Sequence, residues 1–264
     1  MKLAQKFLII SLFLAFVLLA LGIAALWLRE IRKPPEKVGR VVVKQFSFKD
    51  ASDLKEFQDK LLAGSRTRYS TAEELGKTCV KAVSEDSASA FFYQQELVPE
   101  RRPFVNWDWR AGKFPVRHQA EALDEKSEFD FVAQFYVIFS SRFFLNAKAI
   151  QYVWTEKIPV GTVSDSPYTK NVKIMVLQSG PSEEWKHEER NISEDFENLF
   201  GKELEKNVDA ISFMTDSDST GTSALAYFGN ITLGYLGALP EDQKRKRLKR
   251  RGKRSKRFPF LRER

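Results

Sequence analysis

Two apolar patterns divide the chain. Residues 7–28 read FLIISLFLAFVLLALGIAALWL, 22 positions without a charge, whereas beyond residue 40 apolar residues come in short runs between polar, glycine-containing turns. At 1.5 Å per residue the first run covers the roughly 30 Å hydrocarbon core of a bilayer. It predicts an uncleaved transmembrane helix. Lys2 and Lys6 before it, with Ala20, Gly22 and Ala24 within it, also fit a cleaved signal peptide. Pro34 and Pro35 then end any helix and open a stiff linker.

The short runs predict strands: 41–46, one near Tyr69, 77–83 after a turn at Gly76, 88–98, 104–110, 131–139, 148–155, 171–178 and 185–190. In 104–110 Val105, Trp107 and Trp109 alternate with Asn106, Asp108 and Arg110, which gives one aromatic and one polar face. The run 131–139 is apolar on both faces and predicts a central strand. Leu54, Phe57, Leu61 and Leu62 follow Ser52 at helical spacing, so 50–62 predicts a short helix. A second helix starts at a cap on Asn191 or Ser193, carries Phe196, Leu199 and Phe200 on one side, and stops at Gly201. Residues 209–233 read as a β-hairpin whose two strands are joined by the acidic loop Asp216-Ser-Asp218-Ser-Thr220-Gly221.

About ten strands with little helix predict an all-β, β-sandwich or jelly-roll-like domain with one or two short helices, preceded by the transmembrane helix. The expected divisions are 1–33 for the anchor or signal peptide, 34–40 for the linker, 41–239 for the sandwich and 240–264 for a basic, disordered tail.

Composition changes this picture in two places. The net charge of +8 conceals an uneven distribution: residues 243–264 hold 13 Lys or Arg and one Glu, which leaves 30 basic against 34 acidic residues elsewhere. The tail is too charged to bury and suits anionic lipid through 244–264, or another polyanion such as acidic glycan or lipopolysaccharide; nucleic acid fits only if the tail is cytoplasmic. Cys79 is the single cysteine, so no internal disulfide is available and a buried structural thiol is expected.

Candidate chemistry is sparse. Trp107, Trp109, Tyr152 and Trp154 offer rings either for sugar stacking or for the core. Asp124, Glu125, Glu128 and Asp130 form an acidic group before 131–139. Asp216, Asp218, Thr220 and Gly221 begin like a calcium loop, but its twelfth position is Tyr227 rather than glutamate. A Ca2+ site on Asp216, Asp218 and Thr220 therefore competes with a tight turn whose Asp side chains cap backbone amides. Arg190 and Asp195 flank the helix start as a structural ion pair or an anion site. His118 and His187 lie in no metal or nucleophile spacing, and no GxSxG elbow, P-loop or GxGxxG occurs.

These residues also carry a resemblance. Trp107-Asp-Trp109, Asp130 with Tyr136-Val137, Tyr152-Val-Trp154, Ser166-Pro-Tyr168, Glu189-Arg190-Asn191, Asp195-Phe196, Phe200-Gly201, Met214-Thr-Asp-Ser-Asp218, Thr220-Gly221 and Ala226-Tyr227 resemble, in order along 46–233, the bacterial family catalogued as domain of unknown function 3047. The resemblance implies an exported or membrane-attached β-sandwich and assigns no activity. Three positions depart from its pattern: Gln134 for arginine, Gln151 for asparagine and Asn230 for aspartate.

The expected function is a membrane-anchored, extracytoplasmic binding or scaffolding module, non-catalytic, for an envelope glycan or glycolipid. Recognition would fall to Trp107, Trp109, Tyr152 or Trp154 beside Asp130, Arg190, Asp216 and Asp218. Two alternatives stand beside it: a polysaccharide-modifying enzyme using Asp and Glu carboxylates, and a structural subunit of a membrane complex. Orientation stays open, since Arg29, Arg32, Lys33, Lys37 and Arg40 after the helix favour a cytoplasmic domain by the positive-inside count.

Overall fold

The computed structural model describes residues 39–141 and 147–237. The segment 7–28 and the tail 244–264 lie outside them; no helix among the described residues is long and apolar enough to cross a membrane.

Along the chain come β1 (Arg40–Phe46), a single helical turn α1 (Ser52–Lys55), β2 (Gln58–Gly64), β3 (Arg68–Glu74), β4 (Lys77–Glu85), β5 (Ser87–Leu97) and β6 (Pro103–Lys113). After a long loop follow β7 (Ala133–Phe139), β8 (Ala149–Thr155), β9 (Val163–Ser166), β10 (Thr169–Ser179), β11 (Lys186–Asn191), the helix α2 (Ile192–Phe200), β12 (Val208–Met214) and β13 (Ser223–Leu236). They form two sheets. One has the order β11-β6-β13-β4-β3, with β1 also paired to β13; the other runs β2-β5-β12-β7-β8-β10-β9. Every pairing is antiparallel except β8 with β10. The chain is thus an all-β two-sheet sandwich with few short helices, and 131–139 supplies the central strand of the larger sheet.

The core is aromatic and spans both sheets. The Trp107 ring on β6 stacks on Phe135 of β7 at 4.2 Å and 11°, and Trp109 meets Trp154 edge-on at 5.7 Å. Rings paired so contribute about 1 kcal/mol beyond the area they remove from water. Cys79 is buried and free, and burial, then the Glu74 charge, pushes its thiol up to about 11.

Helix α2 forms as its residues predict. The Asn191 side chain accepts from the Ser193 and Glu194 amides at 3.2 and 3.5 Å, and Gly201 closes the helix in the left-handed region.

Two expectations are corrected. Over 50–62 only one helical turn forms before the chain extends into β2. Asp53 accepts from the Phe48 amide, Phe57 leaves the helix to stack on Phe91 at 5.1 Å, and β2 pairs with β5. Leu61 and Leu62 are 45% and 53% exposed, so their helical spacing marks no buried stripe. The second correction concerns 209–233. β12 lies between β5 and β7 in the larger sheet, while β13 pairs with β4, β6 and β1 in the other. The acidic loop is therefore a crossover between sheets, with Gly221 at φ +63° as its turn residue.

Candidate functional site

The crossover loop meets the long loop after β6 at one end of the sandwich, and there Asp130, Asp216 and Asp218 converge. One carboxylate oxygen from each lies within 4.8 Å of the others. Asp130 and Asp216 are buried and Asp218 is partly exposed. Backbone amides hold them in place: Phe131 N donates to Asp216 Oδ1 at 2.8 Å, while Ser219 N and Thr220 N donate to Asp130 Oδ1 and Oδ2 at 3.2 and 2.7 Å.

No ion pair of the described residues involves any of the three. The nearby Arg117 guanidinium is taken up by Glu121 and by the carbonyls of Glu128 and Asp130. Burial, then the Asp130 charge, pushes the Asp216 carboxyl well above the usual carboxylate range, and the same two causes raise Asp218. Gln134, where the resemblance implies an arginine, is buried against Asp216. Its amide pulls the Asp216 carboxyl partly back down, but Nε2 makes no well-aligned hydrogen bond, and Oε1 accepts from Tyr136 and Gln151. A neutral amide leaves the carboxylates uncompensated where a guanidinium would pair with them.

The donor set suits a hard cation. Oxygens bound to Ca2+ at about 2.3–2.6 Å lie no more than roughly 5 Å apart, and this trio meets that limit. The Thr220 hydroxyl donates to Ser217 O at 3.2 Å and lies 2.9 Å from Thr222 Oγ1, and its amide donates to Asp130. Asp130, offered by the sequence only as a glycan contact, is the third carboxylate of the group.

The remaining expected site residues lie elsewhere. Trp107, Trp109, Tyr152 and Trp154 are 0–1% exposed and offer no ring face to a ligand, because their strand faces turn inward between the sheets. Arg190 Nε donates to Asp195 Oδ2 at 2.8 Å, and the Tyr152 hydroxyl donates to the same oxygen at 2.6 Å. This is a part-buried ion pair at the start of α2.

Alternation in β6 also places a polar cluster that the sequence offered only as the strand's other face. Asp108 turns outward and is nearly buried by three donors: Lys77 Nζ at 2.8 Å, His187 Nδ1 at 2.6 Å and Asn230 Nδ2 at 2.6 Å. Burial pushes its carboxyl up, but these hydrogen bonds outweigh burial and hold it below the usual range. Asn230 reaches Asp108 from a bulge in β13, where its φ is +47°.

A family model described as "Protein of unknown function (DUF3047)" matches residues 55–232. No curated protein matches the sequence. Among solved structures, a family 11 carbohydrate-binding module from Clostridium thermocellum overlaps with a TM-score of 0.40 at 13% identity, over 77% of this chain and 99% of that one. A cellulase derived from Cel12A of Rhodothermus marinus overlaps at 0.40 and 7%, over 74% and 98%, and the mannan-recognising module TmCBM27 at 0.30 and 8%, over 75% and 98%. Overlaps this loose carry no argument about ligand or activity.

Proposed function

The chain belongs to the DUF3047 family of proteins of unknown function, and we propose that it is a calcium-binding, non-catalytic β-sandwich module that recognises a glycan or glycolipid of the bacterial envelope. The observation that carries the calcium part is the convergence of Asp130, Asp216 and Asp218 with no cationic partner among the described residues. Two buried carboxylates and a third beside them repel one another in a poorly solvated site. A divalent cation removes that repulsion and ties the crossover loop to the loop before β7, so binding and folding are coupled. In this proposal residues 7–28 anchor the protein and hold the sandwich outside the cytoplasm, where calcium is plentiful.

Calorimetric titration of CaCl2 into chelator-treated protein tests it, with thermal melts beside it. One site per chain is expected, and at a hundredfold excess over Kd about 2.7 kcal/mol of added stability. Absence of both heat and a shifted melt would retire the calcium site. A phosphatase active only outside the cytoplasm, fused after residue 239, tests the placement; an inactive fusion beside an active cytoplasmic reporter reverses it.

A further inference from the structure

The outward face of the β11-β6-β13-β4-β3 sheet carries a second cluster, remote in role from the calcium site. Trp185, just before β11, is partly exposed, and a Cβ on Gly229 would lie 3.8 Å from its Cη2. That is ordinary contact, so the indole edge packs on the sheet at Gly229. Trp185 Nε1 donates to Glu74 O at 3.1 Å, which fixes the ring. Lys77 Nζ lies 5.2 Å from the ring centroid and donates to Asp108, tying the ring to the Asp108, His187 and Asn230 group.

The charges beside Trp185 are already matched. Lys77 pairs with Asp108 at 2.8 Å and Arg110 with Glu74 at 2.9 Å. A phosphate or carboxylate ligand would have to break one of these pairs, with a desolvation cost. What the face offers is a flat, fixed ring beside closely spaced donors and acceptors. His187 is 58% exposed in its side chain, and with Nδ1 engaged by Asp108 its Nε2 is left for a ligand. A pyranose has the complementary chemistry: an apolar C–H face to lie on a ring and equatorial hydroxyls that both donate and accept.

We propose that this face, centred on Trp185 and His187, is where the protein binds a neutral pyranose unit. This rests on the glycan part of the function proposed above and is independent of the calcium site.

The experiment titrates the full chain in detergent with neutral oligosaccharides of glucose and of mannose, and with an oligogalacturonate of matched length as the charged control. Calorimetry and tryptophan fluorescence are the readouts. A neutral oligosaccharide is expected to bind with an affinity unchanged between low and high salt, since no ion pair forms. Trp185→Ala should weaken it tenfold or more, Trp185→Phe should recover most of that, and His187→Ala should weaken it several-fold, with a melt run beside it because His187 also bonds the buried Asp108. Neutral binding that survives both Trp185→Ala and His187→Ala overturns the location and leaves the glycan reading standing. Failure of every neutral saccharide to bind wild type overturns both, and preferential, salt-sensitive binding of oligogalacturonate overturns neutrality.

Discussion

Asp130 and Asp216 each hold the other's loop. Asp130 Oδ2 accepts from Thr220 N at 2.7 Å on the crossover side, and Asp216 Oδ1 accepts from Phe131 N at 2.8 Å on the other. The exchange satisfies backbone donors that would otherwise be buried without partners, and it brings two negative charges together in doing so.

Asp216→Asn separates those two effects. The amide oxygen still accepts from Phe131, while one buried charge is gone. Chelator-treated variant should therefore melt at or above wild type, and added calcium should shift it little. A calcium shift as large as wild type's would show that the Asp216 charge is not needed for the site.

The same carboxylates set a pH dependence. A carboxyl raised in the fold contributes stability that is fully present below its unfolded pKa, about 3.9, and lost as pH rises through the folded value. Asp216 and Asp218 are both raised. Without calcium, their contribution to the melting temperature should fall as pH climbs above the ordinary carboxylate range. With calcium bound to the ionised form, that fall should shrink. Parallel melts in chelator and in calcium across pH 4–8 check this, and identical profiles would contradict it.

The Arg190 and Asp195 pair makes a structural prediction. Asp195 is 4% exposed and accepts from Arg190 and Tyr152. Arg190→Met strands the carboxylate and should cost about 3 kcal/mol in denaturant unfolding. Adding Asp195→Leu should restore much of that, because both charges are then gone. A double variant no better than the single would assign the loss to packing instead.

Gly234 sits where β13 passes under β1. A Cβ there would press on the Val41 carbonyl and lie 2.7 Å from Phe104 Cε1. Gly234→Ala should cost about 2 kcal/mol through overpacking and lower the melt by several degrees. Gly161→Ala, with nothing within 4 Å but φ at +86°, separates backbone strain from collision.

Much of the fold was legible because alternation and turn residues are local signals. The strand around Trp107, the cap at Asn191 and the stop at Gly201 all needed only neighbours a few residues away. Which sheet a strand joins is different. β12 and β13 are both rich in apolar residues and adjacent in sequence, so a hairpin and a crossover are written alike. The convergence of Asp130 with Asp216 depends on that crossover. In β6 the alternation was plain, but the eye goes to Trp107 and Trp109, which the core claims. Asp108 between them faces out of the core but is covered by its own donors, which come from β4, β11 and β13, far apart in sequence.

Arg40 and Leu236 are the first partners of the β1 and β13 ladder, so the chain enters and leaves the described domain side by side. Tension applied through both ends would load that ladder one pair at a time, Arg40 from Leu236, then Val41 from Tyr235, while the pull on β13 is shared with its Tyr235–Pro103 pairing to β6. In mechanical terms the domain is a zipper with its tab at the base, which opens at low force along one edge while the rest of the sandwich stays closed.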